Sequence, residues 1–124
     1  MKKQKELVKR VHCLFVVPDA NQENAIGIDL QEALCHGFAS KNHWEVIKES
    51  KASLFSNDEF QPYIYQKLID ICCRSVKKEY DILLIASKAC LEIPNEYLKQ
   101  AIDWLTEQGS EVWSVADGKI SSSV

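Results

Sequence analysis

Asp81 to Ala86 reads DILLIA, one acid followed by five apolar residues. An unbroken apolar run of this length has no side to offer to water. It therefore predicts a strand covered on both faces, as in a parallel sheet. Val11 to Val17, VHCLFVV, has the same character and stops at Pro18. The segments around these two strands decide the rest. Ile26 to Asn42 places Leu30, Ala33, Leu34, Gly37 and Phe38 at helical spacing. Trp44 to Lys48, WEVIK, alternates and predicts a short second strand. Glu49 to Pro62 is polar and irregular, the composition of a loop.

A second helix is predicted from about Tyr63 to Glu79, with Leu68, Ile69, Cys72 and Val76 on its buried side. A third follows Pro94, with Asn95 as N-cap, Leu98, Ala101, Ile102 and Leu105 as the apolar stripe, and Gly109 at the C-cap. Glu111 to Val115 reads as a fourth strand, Ala116 to Lys119 as a turn, and the tail as a short fifth strand. Strands alternating with helices produce an α/β fold: a three-layer arrangement whose mostly parallel sheet of four to five strands carries helices on both faces.

The chain has 124 residues, 46% hydrophobic and 27% charged, which is one ordinary globular domain without internal repeats. The first ten residues hold five Lys and Arg against Glu6 and form a basic arm, read as solvated, ahead of a domain over 11–124. The net charge of -3 then leaves -7 on the rest of the chain, the wrong sign for a surface that grips a phosphate backbone. No secretory signal and no apolar run near the roughly 20 residues of a membrane span is present, so the expected location is the cytoplasm.

The odd set Cys13, Cys35, Cys72, Cys73 and Cys90 has no C-x-x-C spacing, which argues against a disulfide framework and a zinc site. His12, His36 and His43 lack metal spacing and read as satisfied structural or surface residues. Trp44, Trp104 and Trp113 read as packing residues. The loop after the first strand has no G-x-G-x-x-G and no P-loop, so no nucleotide cofactor, and no cofactor of any kind, is expected. In an open α/β sheet, ligands bind beyond the carboxyl ends of the strands. The candidate crevice residues there are Asp19, Gln22, Gln31, Ser87, Lys88 and Cys90. Ser87 or Cys90 beside Lys88 has the elements of a nucleophile, but no base and orienting group accompany them.

The order of segments resembles the catalytic domain of the serine recombinases, the resolvase and invertase family. GIDLQEALCHGFASKNHWEVIKE is similar to that family's first helix and second strand, S-L-E-x-Q-x-x-x-C followed by W-E-V, through Gln31, Cys35, Trp44, Glu45 and Val46. YDILLIASKACLEIP is similar to its F-D-V-L-L-V-x-K-L-D-R-L-S-R, and EQGSEVWSVADGKISSS to its G-V-x-F-x-S-V-x-E-G-I-D-T-S. The resemblance runs from Val11 to Ser123.

The resemblance implies a DNA-cleaving site that this chain lacks. Family members attack DNA with the serine of Y-x-R-V-S at the end of the first strand. Here Val16 stands at the arginine position and Pro18, with no hydroxyl, at the nucleophile. The D-R-L-x-R of the third-strand loop falls on Ala89 to Ile93, with Cys90 and Ile93 at the two arginine positions. Gln31 alone matches an active-site residue, and Gln22 a common loop glutamine.

The family's dimerisation helix and DNA-binding domain are also expected to be missing after the ADGKISSS segment. The expectation is a catalytically inactive, stand-alone binding or regulatory module linked to recombination of a mobile element. A protein partner or self-association is expected, with no DNA binding unless a separate module supplies it, and no membrane association. The alternative is a repurposed enzyme or binding protein that takes a small molecule in the crevice. A third reading is a decaying remnant of a mobile element.

Overall fold

The computed structural model describes residues 8–17, 27–53, 64–87 and 95–120. In chain order the elements are β1 (Arg10–Val17), α1 (Ile28–Lys41), β2 (Glu45–Ser53), α2 (Ile64–Val76), β3 (Ile82–Ile85), α3 (Asn95–Glu107), β4 (Glu111–Ser114) and β5 (Gly118–Ile120). They form one sheet in the order β2-β1-β3-β4-β5. The first four strands run parallel, and β5 turns back antiparallel on β4. The expected α/β class is present, and so is a fifth strand, but it begins at Gly118, within the segment expected to be a turn, because Ser114 pairs with Gly118.

The strand order explains the layers. From β1 the chain crosses to β2 on one side, then returns past β1 to β3 and continues to β4 on the other. Right-handed crossovers made in opposite directions put their helices on opposite faces. α1 accordingly covers one face, and α2 with α3 covers the other. Alternation along β1 feeds both cores, with Val11, Cys13 and Phe15 packing under α1 and Leu14 and Val16 under α2 and α3. On β3, Ile82 and Leu84 face α1 while Leu83 and Ile85 face the other core.

Several sequence expectations are corrected. β2 does not end at Lys48 but runs to Ser53, taking in residues read as loop. It does so because every residue of β1 offers a parallel partner, out to Val17 opposite Ser53. A register shift between Val11 and His12 accommodates the extra residue, since Val11 pairs with Val46 and His12 with Lys48.

The buried face of α1 is Gln31, Cys35 and Ala39, whereas Ala33 and Gly37 are exposed and Leu30 is 52% exposed. Leu34 and Phe38 lie half-buried at the edge of that contact. On α2 the face toward the sheet is Ile64, Leu68, Ile71 and Ser75, while Ile69 is 65% and Val76 52% exposed. Both helices carry more than one apolar stripe, and hydropathy alone does not choose between them. α3 follows the expected stripe at Ile102 and Leu105, and Gly109 ends it at φ +93°, a backbone angle that favours glycine.

The side chains expected to pack do so. Trp44 and Trp113 meet edge to face at 5.3 Å, and Phe38 joins them at 5.6 Å from Trp44. His12 is buried but only half satisfied among the described residues: Nε2 lies 2.7 Å from Ser50 Oγ, and Nδ1 has no hydrogen-bond partner among them. Tyr80 sits against its ring at 5.1 Å in a T-shaped contact. The start of β1 is tied to β3 by Arg10, whose backbone N–H and guanidinium both donate to Asp81.

Candidate functional site

The change of crossover direction lies between β1 and β3, so the site to inspect is beyond the carboxyl ends of these strands. Gln31, one turn into α1, is 1% exposed there. Its Oε1 accepts from the backbone N–H of Val16 at 2.9 Å, and its Nε2 donates to the Val16 carbonyl at 2.7 Å. The ladder between β1 and β3 covers Val11 to Cys13. Gln31 therefore supplies at Val16 the donor and acceptor that a continued strand would have supplied.

The Val16 side chain points to the other side, 2% exposed in the apolar cluster with Leu14, Ala52 and Ile64. The position that the recombinase resemblance assigns to an arginine is thus part of the hydrophobic core. Ser87 lies half-buried just past β3, and Ser53 is buried at the end of β2. Asp19, Gln22, Lys88 and Cys90 lie outside the described residues, as do Pro18 and Ile93.

One polar group at this end of the sheet was missed by the sequence reading. Ser114, fully buried at the end of β4, donates to Asp117 Oδ2 at 2.7 Å and accepts from the Asp117 N–H at 3.1 Å. The signal was available in the spacing Ser-x-x-Asp before a glycine, a pattern in which side chains close a turn. The contact shapes the hairpin between β4 and β5.

Cys13 and Cys72 are not activated. A hydrogen bond with Cys35, together with burial, pushes the Cys13 thiol well above its ordinary range, and burial pushes Cys72 up to about 11. A reactive thiol needs the opposite shift. Cys13, Cys35, Cys72 and Cys73 are all free. Among the described residues no group of three His, Cys, Asp or Glu side chains is placed to hold a metal ion. No helix among them is long and apolar enough to cross a membrane.

No family model matches the sequence, and no curated protein matches it. Solved structures do. The N-terminal catalytic domain of TP901-1 integrase superposes with a TM-score of 0.68 at 20% identity, over 89% of this chain and 80% of its own. A resolvase family site-specific recombinase from Streptococcus pneumoniae gives 0.67 at 15% identity, over 89% and 74%. The C-terminal catalytic domain of ISC1926 TnpA, an IS607-like serine recombinase, gives 0.60 at 17% identity, over 86% and 70%. The chain therefore has the fold of serine recombinase catalytic domains.

Proposed function

We propose that this protein is a catalytically inactive relative of the serine recombinases, acting in the cytoplasm as a binding or regulatory module linked to DNA recombination of a mobile element. The observation that carries the reading is the burial of Val16 together with the engagement of Gln31 by the Val16 backbone. A phosphate-transferring site needs cationic donors aimed at the charge that develops, and losing even one such donor costs about 3–4 kcal/mol of transition-state stabilisation. Here the arginine position is an apolar core residue and the glutamine amide is engaged inward. Pro18 at the nucleophile position has no hydroxyl to form a phosphoserine link.

The scaffold around the missing chemistry is kept, with two well-formed cores and a complete sheet. A fold retained without its reaction supports a role in binding. The acidic balance of -3 favours a protein partner over a phosphate backbone.

The test is to incubate the purified protein with supercoiled plasmid and with fragmented genomic DNA from its host cells, then denature and resolve the products. The expected result is intact plasmid and no protein covalently attached to DNA. An adduct that survives denaturation would overturn the proposal.

A further inference from the structure

α2 and α3 lie side by side on one face of the sheet. Each precedes one of two parallel neighbouring strands, β3 and β4, so the two helices point the same way. Their carboxyl ends are joined by Lys78, whose Nζ donates to the Gln108 carbonyl at 3.0 Å. The Ser75 and Ser110 hydroxyls, 2.8 Å apart, tie the same ends, so residues 75–78 lie beside residues 108–110.

Between them runs an open groove of about 550 Å³, lined among others by Leu68, Ile69, Cys73, Val76, Ala101 and Trp104. Ile69, at 65% exposure, and Val76, at 52%, stand seven residues apart on the outer side of α2, with exposed Cys73 between them. Apolar residues repeated every seven positions on the outside of a helix form a seam that fits another helix.

The rims of the groove differ in charge. Lys77 continues the α2 ridge one turn beyond Cys73, to whose carbonyl its N–H donates at 3.3 Å. Glu107 stands at the end of α3, next to the segment that meets residues 75–78. Both are exposed, and neither takes part in an ion pair among the described residues. The charges of Arg74, by contrast, are engaged by Asp70 and Glu79.

We propose that this face binds a second copy of the chain about a two-fold axis parallel to the helices, with α2 of one copy seated on α3 of the other. A rotation about that axis keeps each residue's height and helix direction, so Lys77 of each copy meets the other copy's Glu107. At the same time Ile69, Cys73 and Val76 close against the other copy's Trp104 ridge. The match is self-complementary, as a two-fold interface requires.

Two 13-residue helices side by side give a face about 20 Å long and 20 Å wide, hence about 800 Å² over both copies. Stable complexes bury about 1,200–2,000 Å². The dimer is therefore concentration-dependent rather than obligate. The inference rests on the reading of the domain as a binding module, but its failure would leave the loss of cleavage chemistry untouched.

Sedimentation equilibrium of the full chain over a wide concentration range tests it. The expected result is a reversible monomer–dimer equilibrium. Ile69→Glu and Val76→Glu should each weaken it at least about tenfold, because each buries an unpaired carboxylate in an apolar seam. Lys77→Glu should weaken it similarly, and adding Glu107→Lys to that variant should restore it. Circular dichroism confirms the fold of each variant, and all four positions lie on the surface. A chain that stays monomeric up to millimolar concentration overturns the proposal, as does a dimer indifferent to these substitutions or a charge reversal that Glu107→Lys does not rescue.

Discussion

The Gln31 side chain grips the backbone of Val16 at both its N–H and its carbonyl, at 2.9 and 2.7 Å, in a site closed to water. It joins the first turn of α1 to the last turn-ward residues of β1 and completes the hydrogen bonding of a strand whose ladder to β3 has ended. A residue that a sequence motif would assign to chemistry is here part of the architecture.

Replacing Gln31 by Leu should leave both Val16 groups buried and unpaired. An orphaned buried donor or acceptor costs about 1–3 kcal/mol, so the loss should be about 2–5 kcal/mol in urea-induced unfolding. Gln31→Glu should fall between, because a carboxylate accepts from the Val16 N–H but, when ionised, cannot donate to its carbonyl. A loss below about 0.5 kcal/mol for the leucine variant would show that the clamp does not support the fold.

His12 predicts an acid limb of stability. Burial, with a smaller contribution from Lys48, lowers its pKa from 6.5 to about 4. The unfolded chain therefore takes up a proton at higher pH than the folded one. Stability is intact above about pH 6.5, falls as the pH drops, and levels off for this group below about pH 4, a loss of about 3 kcal/mol at about 1.4 kcal/mol per pKa unit. The carboxylates of Asp81 and Glu111, held below their ordinary range mainly by hydrogen bonds from Arg10 and Trp113 respectively, lose their contributions lower still. Unfolding free energies measured from pH 8 to pH 4 should show this slope, and His12→Phe should remove it. An unchanged slope in the variant would assign the effect to other groups.

Ser75 and Ser110 share one buried hydrogen bond at 2.8 Å, linking α2 to the residue before β4. Removing one hydroxyl leaves the other buried with one partner fewer, whereas removing both removes the need for a partner. Ser75→Ala and Ser110→Ala should each destabilise by about 1–2 kcal/mol, and the double variant should be no worse than either single one. A double-mutant cycle by thermal or urea unfolding measures this, and simple additivity would refute it.

The parts of the fold legible in the sequence were those written as local pattern. DILLIA and VHCLFVV, apolar without interruption, place β3 and β1 in the buried centre of the sheet, and Gly109 marks the end of α3 at a positive φ. The apolar character of Val16 is equally plain, and the structure places it in the hydrophobic core. What was misread involved choices between equivalent patterns. The stripe through Leu30, Ala33 and Gly37 and the stripe through Gln31, Cys35 and Ala39 both have helical spacing. The second lies against the sheet because a distant backbone satisfies its one polar member.

The sequence by itself determined the class of the molecule and its alternation of strands and helices. Only the tertiary structure decided how far β2 extends, which faces of α1 and α2 are covered, why a glutamine and a histidine lie in the core, and which apolar stripe remains outside. The physical reason is range. Periodicity and side-chain chemistry act between neighbours in the chain, whereas pairing along β1, the grip of Gln31 on Val16 and the contact of His12 with Ser50 join residues that meet only once the sheet has formed.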